Sequence, residues 1–382
     1  MLPVGLGTAG QLRSIEIWTT SVRLLEAVDA AHGRHFEKVV VYVRVITDAT
    51  EGWGEAASLD VPVGTDPSTG DVRRALEQYW LNRISEAAHA REGRCPESHV
   101  IANLAGSSPV DRVAGAAVEM ALLDAELRLN GRSMASWIGN TAVSVPFGGL
   151  VGLAGDSGIG LLEAAVDALR IGGASRIRTK IAPGRARDQV RAVLAAAQGL
   201  AVQADANGSF SMSPDDLGEL LSLDAFDLAC IEQPLSTSDL TATAALGDLL
   251  ETPICLDETI TSQRSARDAI RYRACGVLCL KPGRLGGVRA TLGILEMARE
   301  ANMGVFMGGM FETGLGRAAL GTLAGHPGAT LISDVAAPAT YLESDPCSLR
   351  PPSDSLQSLH REPGIGPWPD RSALTLEAST VL

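Results

Sequence analysis

Aromatic side chains are scarce in this 382-residue sequence, where phenylalanine, tryptophan and tyrosine together make up only 4% of the residues. The hydrophobic share is nevertheless 46%, and the mean hydropathy is +0.13. A large core built from alanine, valine, leucine and isoleucine is therefore expected. The length suggests two domains, or one large barrel with a smaller part.

Basic residues are outnumbered by acidic ones, and the formal net charge is −13 at pH 7. This balance disfavours nucleic acid or an anionic membrane surface as a partner. No uninterrupted apolar run reaches the roughly 18 residues of a membrane span. The start of the sequence lacks a basic stretch followed by an apolar core, so we expect no signal peptide and a cytoplasmic location.

Neither cysteine nor histidine forms a motif typical of a metal site. The six cysteines include no C-x-x-C pair, and the six histidines include no H-E-x-x-H. This absence disfavours zinc. Cys230, Cys255 and Cys279 lie inside apolar runs, which is typical of buried free thiols in a reducing compartment.

The N-terminal region predicts an α+β domain. Residues 39–47 (VVVYVRVIT) are rich in β-branched side chains and predict a strand, which a turn at 48–52 connects to a return strand. Residues 18–36 are expected to form a long connection and a candidate mobile lid. Helices are expected at 71–90 and 109–129, the second with a start signal at Ser108-Pro109 and a stop signal at Asn130-Gly131.

Five short apolar runs then follow one another, and each ends in a charged residue. The intervals between these charges are 25, 27, 25 and 24 residues, which fit one strand, one helix and two loops. This repeat predicts a (β/α) barrel, in which the carboxyl ends of the strands carry the chemistry. The terminal charges are, in order, Lys180, Asp205, Glu232, Asp257 and Lys281.

Three further runs complete eight expected barrel strands: 144–153 as the first, 304–312 as the seventh and 330–334 as a short eighth. The remaining sequence is rich in proline and serine and is expected to dock on the first domain. The expected division is therefore 1–128 as an N-terminal α+β domain, 129–334 as the barrel and 335–382 as a C-terminal segment.

Three carboxylates from successive strands are expected to converge at one rim of the barrel. Asp205, Glu232 and Asp257 repel one another unless a cation lies between them, and hard oxygen ligands select Mg²⁺ or Mn²⁺. Alternatively, each acid caps a helix or pairs with a local basic residue.

Lys180 precedes the acids and Lys281 follows them, so the two amines are expected on opposite sides of the cation. A cation-rich neighbourhood lowers the pKa of a lysine and makes it a usable base near neutral pH. A substrate carboxylate on the cation would then lose its α-proton to form an enediolate, and two bases permit removal from one face and delivery from the other.

Six strings spread over most of the barrel resemble the enolase superfamily, muconate-lactonizing subgroup, and within it the o-succinylbenzoate synthase / N-acylamino acid racemase family. They are 179–184 (TKIAPG), 204–208 (ADANG), 231–234 (IEQP), 256–259 (LDET), 280–284 (LKPGR) and 308–317 (GGMFETGLGR). The resemblance implies an α/β fold, a modified TIM (β/α) barrel with an α+β capping domain formed by the N-terminal region and the C-terminal tail. It also implies a small-molecule carboxylate substrate, Mg²⁺ or Mn²⁺ as cofactor, and a homo-oligomer.

The resemblance also implies roles for individual residues. Lys180 and Lys281 would be the acid/base pair, and Asp205, Glu232 and Asp257 would hold the metal. Substrate-binding or supporting positions would be Arg178, Asn207, Glu258, Arg284, Gly309, Met310 and Glu312. Arg178 stands where the family has the first lysine of a K-x-K motif, and Arg284 resembles a position associated with the branch that includes racemases.

The implied reaction is α-proton abstraction, as N-acylamino acid (N-succinylamino acid) racemisation, o-succinylbenzoate synthesis or both. Epimerisation of dipeptides or other amino-acid derivatives, and muconate-type cycloisomerisation, are the alternatives. The mandelate-racemase subgroup is disfavoured, because no histidine lies between Lys281 and Glu312.

Two readings outside this chemistry remain. A Schiff-base aldolase would need one barrel lysine and would leave the acids without a role. A barrel that serves only as a binding or structural subunit would not exchange an α-proton.

Overall fold

The computed structural model describes residues 5–30, 33–62, 64–154, 158–237 and 239–381. The strands are β1 (Leu12–Ala30), β2 (Gly33–Thr47), β3 (Glu51–Ala56), β4 (Ser144–Pro146), β5 (Gly148–Val151), β6 (Arg176–Lys180), β7 (Ala201–Asp205), β8 (Ile231–Glu232), β9 (Ile254–Leu256), β10 (Val277–Leu280), β11 (Gly304–Met307), β12 (Leu356–Ser358) and β13 (Thr375–Val381).

The α-helices are α1 (Thr69–Ala75), α2 (Leu81–His89), α3 (Ile101–Leu104), α4 (Pro109–Leu129), α5 (Met134–Trp137), α6 (Ile159–Ile171), α7 (Ala186–Ala197), α8 (Pro214–Ser222), α9 (Leu240–Gly247), α10 (Gln263–Tyr272), α11 (Pro282–Leu285), α12 (Val288–Glu300) and α13 (Gly314–Ala324). Within the described ranges, none of these helices has the length and apolar character needed to cross a bilayer.

A four-stranded antiparallel sheet has the order β13-β1-β2-β3. Successive side chains of β2 face opposite sides: Val41 and Val43 pack with α1, α2 and α4, whereas Val40 and Tyr42 join the cluster that fills the barrel. A continuous apolar run is expected in a strand that is covered on both faces. The predicted hairpin of β2 and β3 is confirmed, with Val41 opposite Ala56.

The prediction of a loop over residues 18–36 is wrong for the described residues, because β1 extends to Ala30 and β2 begins at Gly33. The two residues between these strands lie outside the described part. Val22 and Leu24 are buried while Leu25 is 52% exposed, which is the period-two alternation of a strand. The Leu25 N–H also donates to the Tyr341 carbonyl at 2.9 Å, so a C-terminal segment supports this strand.

Helix α4 packs directly against β3. It begins as predicted, with the Ser108 side chain accepting from the Asp111 N–H, and it is followed at its end by Asn130. A Cβ atom on Gly54 would lie 2.0 Å from the Ala117 carbonyl oxygen, so a glycine is required where the strand meets the helix.

The parallel sheet runs β11-β10-β9-β8-β7-β6-β5. The expected first strand, 144–153, is divided: Ser144–Pro146 forms β4, which pairs with β12, and Gly148–Val151 forms β5 of the barrel.

The prediction of an eighth barrel strand at 330–334 is wrong as stated, because this segment forms only an isolated bridge between Ser333 and Phe147. The segment still closes the ring. Its Leu331 N–H donates to the Val305 carbonyl at 2.9 Å, and its Ser333 carbonyl accepts from the Gly148 N–H at 2.9 Å. The fold is thus a mixed α/β barrel with a separate antiparallel sheet.

The C-terminal segment contributes β13, which pairs with β1 from Ser14 opposite Val381 to Thr19 opposite Thr375. The boundaries at 128 and 334 stay a prediction.

Candidate active site

The five charged residues that end the apolar runs stand at one edge of the parallel sheet. Lys180 lies opposite Asp205 in the β6–β7 ladder, and Asp205 lies opposite Glu232 in the β7–β8 ladder. Asp257 and Lys281 directly follow β9 and β10. The structure therefore brings all five to the carboxyl edge, with the three acids between the two lysines in strand order.

Lys180 is held by two oxygen atoms. Its Nζ donates to Asp205 Oδ2 at 2.7 Å and to Asn207 Oδ1 at 2.5 Å. Asn207 has a left-handed backbone, with φ +46°, and its Nδ2 donates to Glu258 Oε1 at 2.7 Å. These bonds link Lys180 to Glu258, so four of the predicted site residues form one connected group.

Lys281 and Arg284 share one carboxylate. Lys281 Nζ lies 2.7 Å from Asp257 Oδ2, and Arg284 Nη1 lies 2.6 Å from Asp257 Oδ1. Arg284 also donates through Nε and Nη2 to both oxygens of Asp66, at 2.7 and 2.6 Å. Although burial opposes ionisation, the charges of Arg284 and Lys281 hold the pKa of Asp257 far below its usual range.

The predicted lowering of the lysine pKa depends on a neighbouring cation and stays a prediction. Among the protein groups, burial lowers the pKa of Lys281, but the Asp257 carboxylate contacts the ammonium directly and raises that pKa above its ordinary value.

Arg178, which lies on β6 two residues before Lys180, forms ion pairs with the acids. Its Nη1 lies 3.0 Å from Glu232 Oε1 and 3.7 Å from Asp205 Oδ2, and its Nη2 lies 2.5 Å from Asp334 Oδ2. Glu232 is fully buried. Burial and the charges of Asp205 and Asp257 raise the pKa of Glu232 to about 8, although the positive charge of Arg178 lowers it.

The predicted substrate-facing residues Gly309, Met310 and Glu312 lie on the loop between β11 and α13. Glu312 is turned towards Arg317, at 3.0 Å, and its Oε1 accepts from the Met310 N–H at 2.9 Å. The Met310 carbonyl accepts from the buried Lys38 Nζ at 2.6 Å. Protein groups thus fix the shape of this loop.

The residues present suit a cation. Glu258 is 6% exposed, yet its Oε2 has no hydrogen-bond partner, which is unusual for a buried carboxylate oxygen. Among the described residues, ligand atoms of Glu232, Asp257 and Cys279 lie within 4.8 Å of one another. Asp205 is not a member of this group, and its Oδ2 accepts from Lys180 Nζ at 2.7 Å.

The residues near the site that were missed include Asp66, Gln203, Cys279 and Asp334. Asp334 ends the run 330–334, so the rule applied to the other strand ends would have found it. Gln203, which donates to Glu232, and Cys279 each precede a terminal charge by two residues, so strand alternation puts them on the same face. Asp66 lies in a distant loop and gave no local signal.

Comparison with known proteins shows several relatives. A family model described as enolase C-terminal domain-like matches residues 160–373. An N-succinylamino acid racemase from Amycolatopsis sp. is 34% identical and covers 88% of this chain and 89% of its own. An o-succinylbenzoate synthase from Bacillus subtilis is 31% identical, with 86% of each chain covered.

Solved structures are also similar to this chain, over nearly its whole length. A probable mandelate racemase from Alicyclobacillus acidocaldarius is 32% identical with a TM-score of 0.86, covering 95% of this chain and 94% of that one. A member of the enolase superfamily from Listeria innocua is 26% identical with a TM-score of 0.87, covering 97% and 98%.

Proposed function

The chain belongs to the enolase superfamily, whose C-terminal domain-like model matches residues 160–373, and from this membership we propose that it abstracts the proton α to a substrate carboxylate. The product of that step is an enediolate. The proposed activities are N-succinylamino acid racemisation, o-succinylbenzoate synthesis or both, which are the names of relatives at 34% and 31% identity.

One observation carries the proposal: two lysines stand at the same edge of the sheet, separated by the three strands that carry the acids. In racemisation, the Nζ of one lysine, as the neutral amine, takes the α-proton from one face. The Nζ of the other, as the ammonium, gives a proton to the opposite face. No proton is consumed over the whole reaction, and the two lysines exchange roles for the other enantiomer.

The cation in this proposal is Mg²⁺ or Mn²⁺, held by Asp205, Glu232 and Asp257. When bound, such a cation would stabilise the negative charge that develops on the substrate carboxylate as the α-proton leaves, and it would lower the pKa of neighbouring ammonium groups. Asn207 and Glu258 position Lys180, and the loop with Gly309, Met310 and Glu312 faces the acyl end of the substrate.

The synthase activity would use the same residues differently. Lys180 takes the proton as before, and Lys281 stays an ammonium that stabilises the negative charge of the intermediate. Arg284 lies 2.6 Å from the carboxylate that binds Lys281, so it positions that lysine for either reaction.

Deuterium exchange tests the proposal. The protein, supplied with Mg²⁺ in deuterated buffer, should exchange the α-proton of N-succinylamino acids, as measured by NMR, or convert the cyclohexadiene substrate of the synthase. Exchange confined to dipeptides would favour the epimerase alternative. No exchange with any of these carboxylates, by a folded protein, would contradict the proposal.

Metal removal is a separate prediction. Treatment with a chelator should abolish exchange, and added Mg²⁺ or Mn²⁺ should restore it, because the enediolate charge then lacks the divalent cation that would stabilise it. Full activity after exhaustive chelation, verified by metal analysis, would contradict the cation's role.

We also propose a cytoplasmic homo-oligomer. Sedimentation of the purified protein tests the assembly. An oligomer should have a mass of two or more times the 39.8 kDa of one chain.

A further inference from the structure

A second layer of side chains lies beneath the charged edge of the barrel. Strand residues alternate faces, so Cys279 points to the same side as Lys281. Cys279 is fully buried and belongs to a small cluster with Cys230, Cys255, Val277 and Phe306. Only Cys279 of these cysteines has its sulfur among the carboxylate oxygens of the site.

The geometry at Cys279 is that of a ligand set. Its Sγ and one carboxylate oxygen each of Glu232 and Asp257 lie within 4.8 Å of one another, and all three residues are at most 1% exposed. Ligands around one tetrahedral ion, at about 2.0–2.3 Å from it, lie roughly 3.3–3.8 Å apart. Side-chain movements of about 1 Å therefore suffice to close the set around an ion.

A second observation is independent of this spacing. Within the described ranges the Cys279 thiol makes no hydrogen bond, although it is buried beside two carboxylates that could accept one. The sulfur lies within 4.8 Å of an oxygen of each acid and has no competing hydrogen bond among the described residues, so it is available as a ligand atom.

We propose that Glu232, Asp257 and Cys279 form a mixed oxygen–sulfur site for a thiophilic divalent cation such as Zn²⁺ or Cd²⁺. On binding, the S–H bond breaks, its proton passes to solvent and a sulfur–metal bond forms. The inference rests on the proposed function in one respect: two of the three ligands are shared with the proposed Mg²⁺ site. A thiophilic ion therefore excludes Mg²⁺ and inhibits the enzyme.

Cd²⁺ titration tests the site directly, because a cysteine sulfur bound to Cd²⁺ gives an ultraviolet charge-transfer band. The full chain, stripped of metal, is titrated with Cd²⁺ as wild type, Cys279→Ser and Cys255→Ser. The wild type and Cys255→Ser should show the band and Cys279→Ser should lose it. Cys255 is the matched control, since it lies in the same cluster but outside the ligand group.

Absence of the band in the wild type, or its retention in Cys279→Ser, would overturn the proposal. Loss of the band in Cys255→Ser would do the same, because another thiol would then be the ligand. X-ray absorption of the wild type loaded with Zn²⁺ needs no variant: one sulfur in the first shell supports the site, and none refutes it.

The outcome is separable from that of the proposed function. A protein that exchanges α-protons with Mg²⁺ but shows no sulfur–metal band refutes this site alone. A protein that shows the band but exchanges no α-proton refutes the proposed function alone.

Discussion

Lysine is used sparingly in this chain, which contains only Lys38, Lys180 and Lys281 against 29 arginines. Two of the three stand at the carboxyl edge of the barrel, each 2.7 Å from a carboxylate oxygen. An ammonium can give up its proton near neutral pH when its surroundings change, whereas a guanidinium cannot. Lysine is thus found where proton transfer is proposed.

Replacing either edge lysine tests the two-base scheme. Lys180→Ala and Lys281→Ala should each lower racemisation by about 10²-fold or more, since general acid–base catalysis contributes roughly 10²–10⁴-fold. Chiral chromatography measures the product. Each variant should still exchange the α-proton of one enantiomer, because one base remains.

Arg191→Ala is the matched control, since its side chain is 59% exposed and lies on α7 away from the edge. Rapid racemisation by either lysine variant would contradict the scheme.

Arg178 is a structural centre of the same site, because it binds Glu232 and Asp334 at once. Arg178→Met should lower the free energy of unfolding by about 3–5 kcal/mol, because buried carboxylates lose their partner. The free energy of unfolding of Arg178→Lys should fall between those of wild type and Arg178→Met, since one ammonium cannot span both acids as the guanidinium does. Denaturant titration measures the change.

Arg299→Met serves as the control for Arg178, because Arg299 forms an exposed ion pair on α12 and such pairs contribute little. Equal stability of Arg178→Met and wild type would contradict the prediction.

The sequence located the charged residues at the carboxyl edge better than their partners. Lys180, Asp205, Glu232, Asp257 and Lys281 each end an apolar run, and this local pattern was sufficient. Their catalytic roles stay predictions. Asp66 meets Arg284 across 218 positions of sequence, and no local pattern encodes a pairing at that distance.

At the level of elements, the barrel strands were predicted because each is short, apolar and followed by a charge. The β1–β2 hairpin was missed because residues 18–36 contain polar side chains and a glycine, which are typical of loops. Its stabilising partners, β13 and the Tyr341 backbone, lie far along the chain. Pairing between distant segments decided the structure there.

Glu55 connects strand β3 of the antiparallel sheet to the start of helix α13 by hydrogen bonds. From β3 it accepts from the Thr313 N–H at 2.8 Å, the Thr313 hydroxyl at 2.7 Å and the Gly316 N–H at 2.9 Å, at the start of α13. A carboxylate at a helix N-terminus is stabilising.

Glu55→Ala should lower Tm, because buried donors are left unpaired at about 1–3 kcal/mol each. Calorimetry measures the shift. Glu37→Ala, at an exposed position, should leave Tm within about 1 °C, since exposed ion pairs contribute about 0–1 kcal/mol. An unchanged Tm in Glu55→Ala would show that this connection carries no stability.

At the scale of the whole molecule, α4 lies between the antiparallel sheet and the barrel helices and buries two acids. Glu119 accepts from the Val288 and Arg289 N–H groups at 3.0 and 3.1 Å, and Glu126 binds Ser98. Burial raises the pKa of both Glu119 and Glu126 to about 7, from an ordinary value of 4.5.

A raised carboxyl pKa makes the folded state hold a proton that the unfolded state has lost. The contribution of Glu119 to the stability of the folded state is therefore complete below about pH 4.5, and it disappears as the pH rises through about 7. Glu119→Gln stays neutral throughout, so its stability relative to wild type should rise by about 3 kcal/mol over this range.

Denaturant titrations at pH 5 and pH 7.5 measure most of this rise. Glu163→Gln, an exposed position on α6, should show none. If the difference in free energy of unfolding between Glu119→Gln and wild type does not change with pH, the raised pKa of Glu119 is contradicted.

The pairing of β13 with β1 has a consequence for synthesis. Thr19 is hydrogen-bonded to Glu377, 358 positions later. At about 5–20 residues per second, a ribosome needs on the order of 20–70 s to make the intervening chain. Throughout that time one edge of β1 lacks its native neighbour, so its unpaired backbone groups are open to pairing with another chain.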